Sequence, residues 1–236
     1  NGVLRMDVTA SAANNNTYGF YYISNIILTA VDSAPAPTPN PGPAAPSAGL
    51  VFVQDPAVVG DIANSADINM STFSKKTHAI SFETGADISS RQVLYEQGAE
   101  VRGISFFIEN AKLYMAIWNT QEENWGYKEL SANIAANTRY TAVLVFDGAL
   151  PASGSITGYL DGVEIGQSSG VGRLYAHSGS IQVGSSDGLS RYHGQESGSA
   201  NAFTGIIQKL AHYNAALSGG DLQDLIDYMA YEWSED

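Results

Sequence analysis

Short runs of alternating apolar and polar residues recur along most of the chain after residue 49, and this alternation predicts β-strands. Clear examples are THAISFET (77–84), GISFFIEN (103–110) and KLYMAIWN (112–119), the last two forming a hairpin. RYTAVLVFDG (139–148) is apolar on both faces, as expected of a central strand covered by a second sheet. Turn signals separate the runs at roughly 10 to 20 residues, which predicts an all-β, antiparallel two-sheet sandwich.

The stretch SITGYLDGVEIG (155–166) predicts a tight hairpin. Asp161-Gly162 between alternating residues favours a two-residue turn, because Gly takes a positive φ without steric strain. The turn also carries two carboxylates three residues apart, which raises the alternatives of a catalytic pair, metal ligands or a solvated tip. We interpret Asp161 as shaping the turn and Glu164 as solvated.

One short helix is predicted to close the chain. Leu222, Leu225, Ile226 and Met229 recur at i, i+3, i+4 and i+7, so they form one buried stripe. Ser218 or Asp221 is the expected cap at its N-terminus.

A proline-rich run divides the chain, since six of the eight prolines lie within residues 32–49. Such a run favours an extended polyproline II spacer. Residues 1–31 before it read as a β-hairpin, and residues 50–236 after it form the main domain. Because two strands alone are marginal in water, the hairpin needs a partner. It is the tail of a neighbouring domain, part of the main sheet, or an element that pairs with another copy of the chain by strand addition.

Composition excludes several classes of function and of binding site. The chain has 11 Lys and Arg against 24 Asp and Glu, a formal net charge of −13, so it is not expected to bind nucleic acid. The absence of cysteine excludes disulfides, zinc-thiolate sites and cysteine nucleophiles. No apolar run is long enough for a membrane span. The acidity fits a protein that binds divalent cations or stays soluble outside the cell.

The order of the strand motifs resembles that of a laminin G-like, concanavalin A-like jelly roll over residues 50–233. The similarity rests on an ordered series of segments: QVLYEQGAEVRGISFFIENAKLYMAIWN, RYTAVLVFDG, GSITGYLDGVEIGQ, GSIQVGSSDG and AFTGIIQKLAHYNAALSGGDLQDL. The resemblance implies two curved antiparallel sheets and an extracellular recognition module for glycans or proteins, in many relatives with a bound calcium ion.

Catalytic carboxylates are not apparent in the sequence. The E-x-D-x-x-E run of some concanavalin A-like glycosidases is missing, and Glu122 and Glu123 are adjacent, so on a strand they would point to opposite faces. The four histidines are scattered without a nucleophile–base pattern. We therefore expect no enzyme, with a glycan hydrolase or lyase as the remaining alternative.

The loop GSSDGLSRYHGQESGSAN (184–201) is the best candidate for a calcium site. It is long for a compact domain and supplies the oxygen ligands that calcium prefers, from Asp187, Glu196 and Asn201. A flexible polar loop is the alternative interpretation.

Aromatic residues of the 112–129 region suggest a sugar-binding surface, because a ring offers an apolar body and, in Tyr and Trp, a polar tip. If the aliphatic residues of KLYMAIWN face the core, Tyr114 and Trp118 lie on an open sheet face, with Trp125 and Tyr127 in a following polar loop. Packing in the core or rim is the alternative. The predicted ligand-binding residues are Tyr114, Trp118, Trp125, Tyr127, Arg191, Tyr192 and His193.

Together these features predict a non-catalytic, extracellular or cell-surface module that binds carbohydrate or a surface glycoprotein for adhesion, assisted by Ca²⁺. The alternatives are a structural subunit of a filament or virion that self-associates through residues 1–31, and a glycan-active enzyme. Neither nucleic-acid binding nor membrane insertion is expected.

Overall fold

The structure, a computed structural model, describes residues 4–7, 27–30, 49–53, 60–149, 153–187, 189–194 and 200–231. The chain divides into two compact units, Asn1–Pro41 and Gly42–Asp236. In the first unit, β1 (Leu4–Asp7) and β2 (Ile27–Ala30) pair antiparallel. Most of the predicted proline-rich linker lies outside the described residues.

The described part of the second unit consists of strands and one C-terminal helix. The elements are β3 (Gly49–Val53), β4 (Gly60–Ile62), β5 (Lys75–Glu83), β6 (Gln92–Gly98), β7 (Arg102–Glu109), β8 (Lys112–Asn119), β9 (Gly126–Asn133), β10 (Arg139–Asp147), β11 (Gly154–Leu160), β12 (Val163–Val171), β13 (Ile181–Val183), β14 (Asn201–Ala202), β15 (Ile206–Tyr213) and α1 (Gly219–Ala230).

These strands form two sheets. The six-stranded sheet has the order β12-β11-β10-β5-β15-β3, and the seven-stranded sheet has the order β4-β13-β6-β7-β8-β9, with β14 also paired to β6. Neighbouring strands are antiparallel except for β14 and β6. The predicted all-β antiparallel sandwich with one short C-terminal helix is confirmed.

The main core lies between the two sheets and follows from the alternation along each strand. Ile80 and Phe82 of β5 face Leu113, Met115 and Ile117 of β8 across the sandwich, and all five are fully buried. Burial of one such side chain stabilises the fold by about 1.5–3 kcal/mol. The aliphatic set of β8 therefore faces the core, which turns Tyr114 and Trp118 to the opposite face of the seven-stranded sheet.

The helix packs against the outer face of the six-stranded sheet. Its four buried residues are the predicted stripe of Leu222, Leu225, Ile226 and Met229. They cluster with Val143, which explains why β10 is apolar on both faces. Ser218 is the N-cap by position, although its side chain makes no capping hydrogen bond. In the described part of the chain, no helix is long and apolar enough to cross a membrane.

The β11–β12 turn has the predicted hairpin geometry. Asp161 and Gly162 have φ values of +49° and +77°, as a type I′ turn requires. Asp161 Oδ1 accepts a hydrogen bond from the Thr141 amide at 2.7 Å, so this carboxylate ties the turn to β10. Glu164 is exposed.

The expectation of a polar loop around Tyr127 is wrong, because this segment is a β-strand. Residues 126–133, which include Tyr127, form β9 and pair with β8 along its whole length. The segment GYKELSAN is polar at most positions because β9 is the last strand of the sheet and is only partly buried. Its pairing with β8 places Tyr127 directly opposite Trp118.

Candidate functional site

The outer face of the seven-stranded sheet, which points away from the core, gathers most of the predicted ligand-binding residues. Strand pairing places Tyr114 of β8 beside Phe107 of β7, and their rings stack with centroids 4.9 Å apart. The next pair along the strands is Ser105 and Ala116, with Glu129 of β9 beside Ala116. Because alternate residues share a face, these side chains form one surface.

We call residues 184–200 the crossing loop, and Tyr192 and His193 of this segment lie over part of this face. The loop starts after β13, which pairs with β6 around Glu96, and it ends at β14, which pairs with β6 at Gln92. Between these points Tyr192 packs edge-on against Phe107, with ring centroids 4.9 Å apart. Tyr192 therefore lies over β7, although the chain pairs with β6 or with its neighbour β13 both before and after it.

His193 of the crossing loop lies between two carboxylates. Its Nε2 is 2.7 Å from Glu109 Oε2, and its Nδ1 is 3.1 Å from Glu129 Oε1. Each ring nitrogen of His193 thus faces one carboxylate oxygen. The imidazole also contacts Tyr114 edge-on at 4.7 Å. One residue of the loop thus joins β7, β8 and β9.

Tyr127 and Arg91 complete the hydrogen-bonded group. The Tyr127 hydroxyl donates to Glu129 Oε2 at 2.6 Å and accepts from the His193 amide at 3.0 Å. Arg91 donates through Nη2 to both oxygens of Glu109 at 3.1 Å. Every carboxylate oxygen of this group therefore lies within hydrogen-bonding distance of a polar atom of the protein.

Two pKa shifts reflect these contacts. Partial burial by itself raises the pKa of Glu109, but the hydrogen bonds from His193 and Arg91 outweigh it, so the net shift is downward. Burial raises the pKa of Tyr127, and its hydrogen bond to Glu129 raises it further. Glu109 is thus held as an anion and Tyr127 as a neutral phenol.

Part of this cluster remains accessible to solvent. The side chains of His193, Glu109 and Glu129 are 36%, 19% and 21% exposed. Tyr114 and Tyr127 are half-buried. We call these five residues the sheet-face site.

Trp118 and Trp125 are placed differently. Trp118 is fully buried on the outer face, and its Nε1 donates to the Ala99 carbonyl at 2.8 Å. Trp125 belongs to the core, with its ring near Phe146 and its Nε1 donating to the Arg173 carbonyl. Neither indole presents an open ring face to a ligand in this structure.

The other two predicted ligand-binding residues lie in the crossing loop. Tyr192 is 2% exposed, and its hydroxyl donates to Glu96 Oε2 at 3.2 Å. Arg191 is half-buried and donates to the backbone carbonyls of Glu100 and Gly194. Both side chains fasten the loop to the domain.

The predicted calcium ligands do not come together in the described residues. The Asp187 amide bonds to the side chain of Glu96, whereas Asn201 pairs with Gln92, four residues earlier on β6 and about 13 Å away along the strand. Two ligands of one calcium ion lie at most about 5 Å apart. Glu196 is outside the described residues. Among those that are described, no three His, Asp or Glu side chains are grouped to hold a metal ion.

Glu109, Glu129 and Arg91 were missed by the sequence interpretation. Glu129 falls in the segment that was expected to be a loop, and the other two lie at strand ends with no distinctive motif. An alternation count that included β9 would have placed Tyr127 and Glu129 on one face. Nothing local signals that His193, some 64 residues away in sequence, contacts them.

The geometry does not favour glycosidase chemistry at this face. Glycoside hydrolysis requires two carboxyl groups on either side of the scissile bond, with room for the sugar and, in inverting enzymes, a water molecule. Here the imidazole of His193 fills the space between Glu109 and Glu129. The arrangement is suited to hydrogen bonding rather than proton transfer to a bound glycan.

Several solved structures have a similar fold. The CBM40 domain of the Ruminococcus gnavus IT-sialidase, bound to α2,3-sialyllactose, has a TM-score of 0.53 and 18% identity over 76% of this chain and 96% of that chain. Leech intramolecular trans-sialidase has a TM-score of 0.52 and 14% identity over 80% of this chain and 29% of that enzyme. The binding domain of botulinum neurotoxin serotype D has a TM-score of 0.51 and 10% identity over 77% of this chain and 43% of that one.

At these identities the likeness concerns the fold. No curated protein matches the chain in sequence. The sequence model of the concanavalin A-like lectin/glucanases superfamily matches residues 60–223, which include both sheets of the sandwich from β4 onward and the first residues of α1. The match covers well over half of the chain, and together with the two antiparallel sheets it shows that this protein belongs to the concanavalin A-like lectin/glucanases superfamily.

Proposed function

We propose that the domain is a non-catalytic carbohydrate-recognition module that binds glycan at the sheet-face site, as part of an extracellular or cell-surface protein that mediates adhesion. The observation that carries the proposal is the convergence of His193, Glu109 and Glu129 beside Tyr114, all partly exposed on one sheet face. The sialyllactose bound by the Ruminococcus gnavus module supports the choice of a glycan as the ligand class.

The chemistry of the site suits a sugar. Carboxylates accept strong hydrogen bonds from hydroxyl groups, and a half-buried tyrosine ring offers an apolar surface to the C–H face of a pyranose. The mutual hydrogen bonds within the cluster orient these groups before a ligand arrives, which reduces the entropy lost on binding.

A glycan array that contains both sialylated and neutral glycans, probed with the whole chain, tests the proposal. Tyr114→Ala and Glu129→Gln are expected to weaken binding to the recognised glycans by about tenfold or more, equivalent to about 1.4 kcal/mol. Tyr175→Ala is the matched control, because this half-buried tyrosine contacts Arg102 and Arg173 instead of the sheet-face site. If the two site variants bind as the wild type does, the site is wrong.

Calcium assistance is the second part of the proposal, supported by the acidic composition and by the oxygen-rich crossing loop. Because Asp187 and Asn201 lie too far apart to bind one ion together, this part of the proposal does not require both of these predicted ligands at the same ion. Removal of calcium with a chelator is expected to lower the melting temperature by several degrees, since an ion that binds only the folded state stabilises it. An unchanged melting temperature across millimolar calcium concentrations would refute this part and leave glycan binding untouched.

Self-assembly through the N-terminal hairpin is the second candidate function. The observation in its favour is that β1 and β2 pair with each other within a separate unit, while a two-stranded hairpin is marginal by itself. Sedimentation of the full chain and of a chain that lacks residues 1–41 distinguishes the alternatives. Polymers that disappear on deletion support assembly, and a monomeric full chain contradicts it.

A further inference from the structure

A recess on the opposite side of the sandwich is separate from the sheet-face site. It lies between α1, the β11–β12 turn and the outer face of the six-stranded sheet, and its volume is about 520 Å³. Small-molecule sites typically have volumes of about 300–1,000 Å³. None of the residues of the sheet-face site lines this recess, which we call the helix–hairpin cavity.

Three elements that are distant in sequence build the cavity. The helix contributes Gln223, Ile226 and Asp227, which lie on one helical face at i, i+3 and i+4. The turn contributes Asp161 and the two residues that follow it, and the sheet contributes Gln208 together with the buried residues Ser81 and Thr141. The walls are thus set by the packing of α1 and by the tight turn, both of which are regular elements.

The polar side chains of the cavity are oriented but not saturated. Gln208 Oε1 accepts a hydrogen bond from Ser81 at 3.3 Å, and Gln223 Nε2 donates to Asp227 Oδ1 at 2.8 Å. Asp161 uses Oδ1 to accept from the Thr141 amide. A carboxamide has two N–H donors and an acceptor oxygen, and a carboxylate has two acceptor oxygens, so each group keeps capacity for a ligand.

Apolar surface adjoins these polar groups. Val163, next to the turn, is 67% exposed, an unusual exposure for a large aliphatic residue in the part of the chain that the structure describes. Ile226 lies at the floor of the cavity and is 7% exposed. Alternation of apolar surface with donors and acceptors matches a pyranose, which has C–H faces and a rim of hydroxyl groups.

The charges restrict the ligand further. Asp161 and Asp227 are carboxylates, and the guanidinium of Arg139 is paired with Glu83, with Nε 2.9 Å from Oε2. No surplus positive charge is therefore present among the lining residues to hold a phosphate, sulfate or carboxylated sugar. A simple cation would use the carboxylates but would leave the two carboxamides and Val163 without a role.

We propose that the helix–hairpin cavity is a second saccharide site, specific for uncharged, hydroxyl-rich sugar units. The site is independent of the sheet-face site and lies on the other sheet. If both sites are occupied, the domain binds two glycan segments at once, and its avidity for a multivalent glycan exceeds the affinity of either site.

Nuclear magnetic resonance of the ¹⁵N-labelled chain tests the proposal, with lactose, maltose and cellobiose as probes at millimolar concentrations. At least one disaccharide is expected to cause saturable shifts of the side-chain amide signals of Gln208 and Gln223 and of the Gly162 backbone amide. Gln208→Ala and Gln223→Ala are expected to weaken this binding by about tenfold. Gln167→Ala is the matched control, since this exposed glutamine of β12 does not line the cavity.

The outcomes separate this proposal from glycan binding at the sheet-face site. Signals of Tyr114 and His193 report that site, so Tyr114→Ala should leave the shifts in the cavity unchanged. The second saccharide site is wrong if none of the three disaccharides shifts the cavity signals, or if the shifts persist with wild-type affinity in both glutamine variants.

Discussion

At the scale of single residues, Trp118 and Gly103 illustrate how the outer face of the seven-stranded sheet is packed. The two residues are directly opposite each other on β8 and β7, and the indole ring occupies the space that a glycine leaves. A Cβ atom at residue 103 would lie 2.4 Å from Trp118 Cζ2 and 2.3 Å from the Gln97 carbonyl oxygen. The indole is also tethered by its hydrogen bond to Ala99. Trp118 therefore stabilises the domain instead of offering a surface to a ligand.

Replacement of this indole should be costly. Trp118→Ala is expected to lower the free energy of unfolding by about 3–5 kcal/mol, because it leaves a large cavity and an unpaired carbonyl. Gly103→Ala is also expected to destabilise the domain, because both the Gln97 backbone and the Trp118 ring would have to shift to make room for the methyl group. Urea denaturation measures both effects, with Tyr114→Ala as the comparison on the same face. Equal stability of Trp118→Ala and the wild type would contradict the packing described.

At the scale of elements, the contact between α1 and β15 depends on a buried lysine. Lys209 is 1% exposed, and its Nζ donates to the carbonyls of Tyr228 and Tyr231 at the C-terminal end of the helix. The last carbonyls of a helix have no partners within it, and a cation there also interacts favourably with the helix dipole. Burial lowers the pKa of Lys209 to about 8. This one side chain therefore closes the helix and attaches it to the sheet.

Loss of this ammonium group should loosen the helix selectively. Lys209→Met keeps most of the side-chain volume but removes the ammonium donor that the two carbonyls share, so the free energy of unfolding is expected to fall by about 1–3 kcal/mol. Amide hydrogen exchange in residues 226–230 should accelerate more than in β8. Lys112→Met, at an exposed lysine of β8, is the control and should change neither quantity. Unchanged exchange in Lys209→Met would refute the capping role.

At the scale of the whole molecule, several basic side chains lie close together at one end of the space between the sheets. His78 and His212 are fully buried, with their Nδ1 atoms 2.6 Å apart. Burial, and the neighbouring positive charges, lower the pKa of both well below the usual value. Burial also lowers the pKa of His177 to about 4 and that of Lys76 to about 7, although Asp67 partly offsets the shift of the lysine. The sandwich therefore holds its histidines neutral at this end.

This arrangement predicts that the domain loses stability in mild acid. Below the unfolded pKa of about 6.5, the histidines of the unfolded chain bind protons that His78, His177 and His212 do not take up in the folded state. Each such site lowers the free energy of unfolding by up to about 1.4 kcal/mol per pH unit. Burial raises the pKa of Glu96 and Asp161, so these two carboxyl groups favour the folded state as the pH falls. They are outnumbered by the three histidines. The net loss is expected to begin as the pH falls below about 6.5.

Thermal melting between pH 7.5 and about 5 measures this dependence. The melting temperature should fall as the pH is lowered, and His212→Leu should reduce the slope, because one of the buried sites can no longer take up a proton on unfolding. A melting temperature that is constant or rises over this interval would show that the buried histidines do not control the acid stability.

The sequence by itself determined those features that depend on neighbouring residues. Alternation along the chain determined the strands and their core-facing sets, Asp161-Gly162 determined the hairpin turn, and the i, i+3, i+4, i+7 spacing determined the buried face of α1. The order of these elements was enough to identify the sandwich. Each is a local property, because strand pleat, turn conformation and helix pitch are set by a few consecutive residues.

Only the tertiary structure decided where the site lies. The contact of His193 with Glu109 and Glu129 joins residues 84 and 64 positions apart, and it depends on how the crossing loop lies over the sheet. Trp118, which the alternation had placed on an open face, is buried: its ring packs against Gly103 and Tyr127, and its indole N–H is bonded to Ala99. Alternation specifies which side of a strand a residue occupies, but not what packs on that side. Exposure and contacts are set by long-range packing, so they follow from the folded molecule alone.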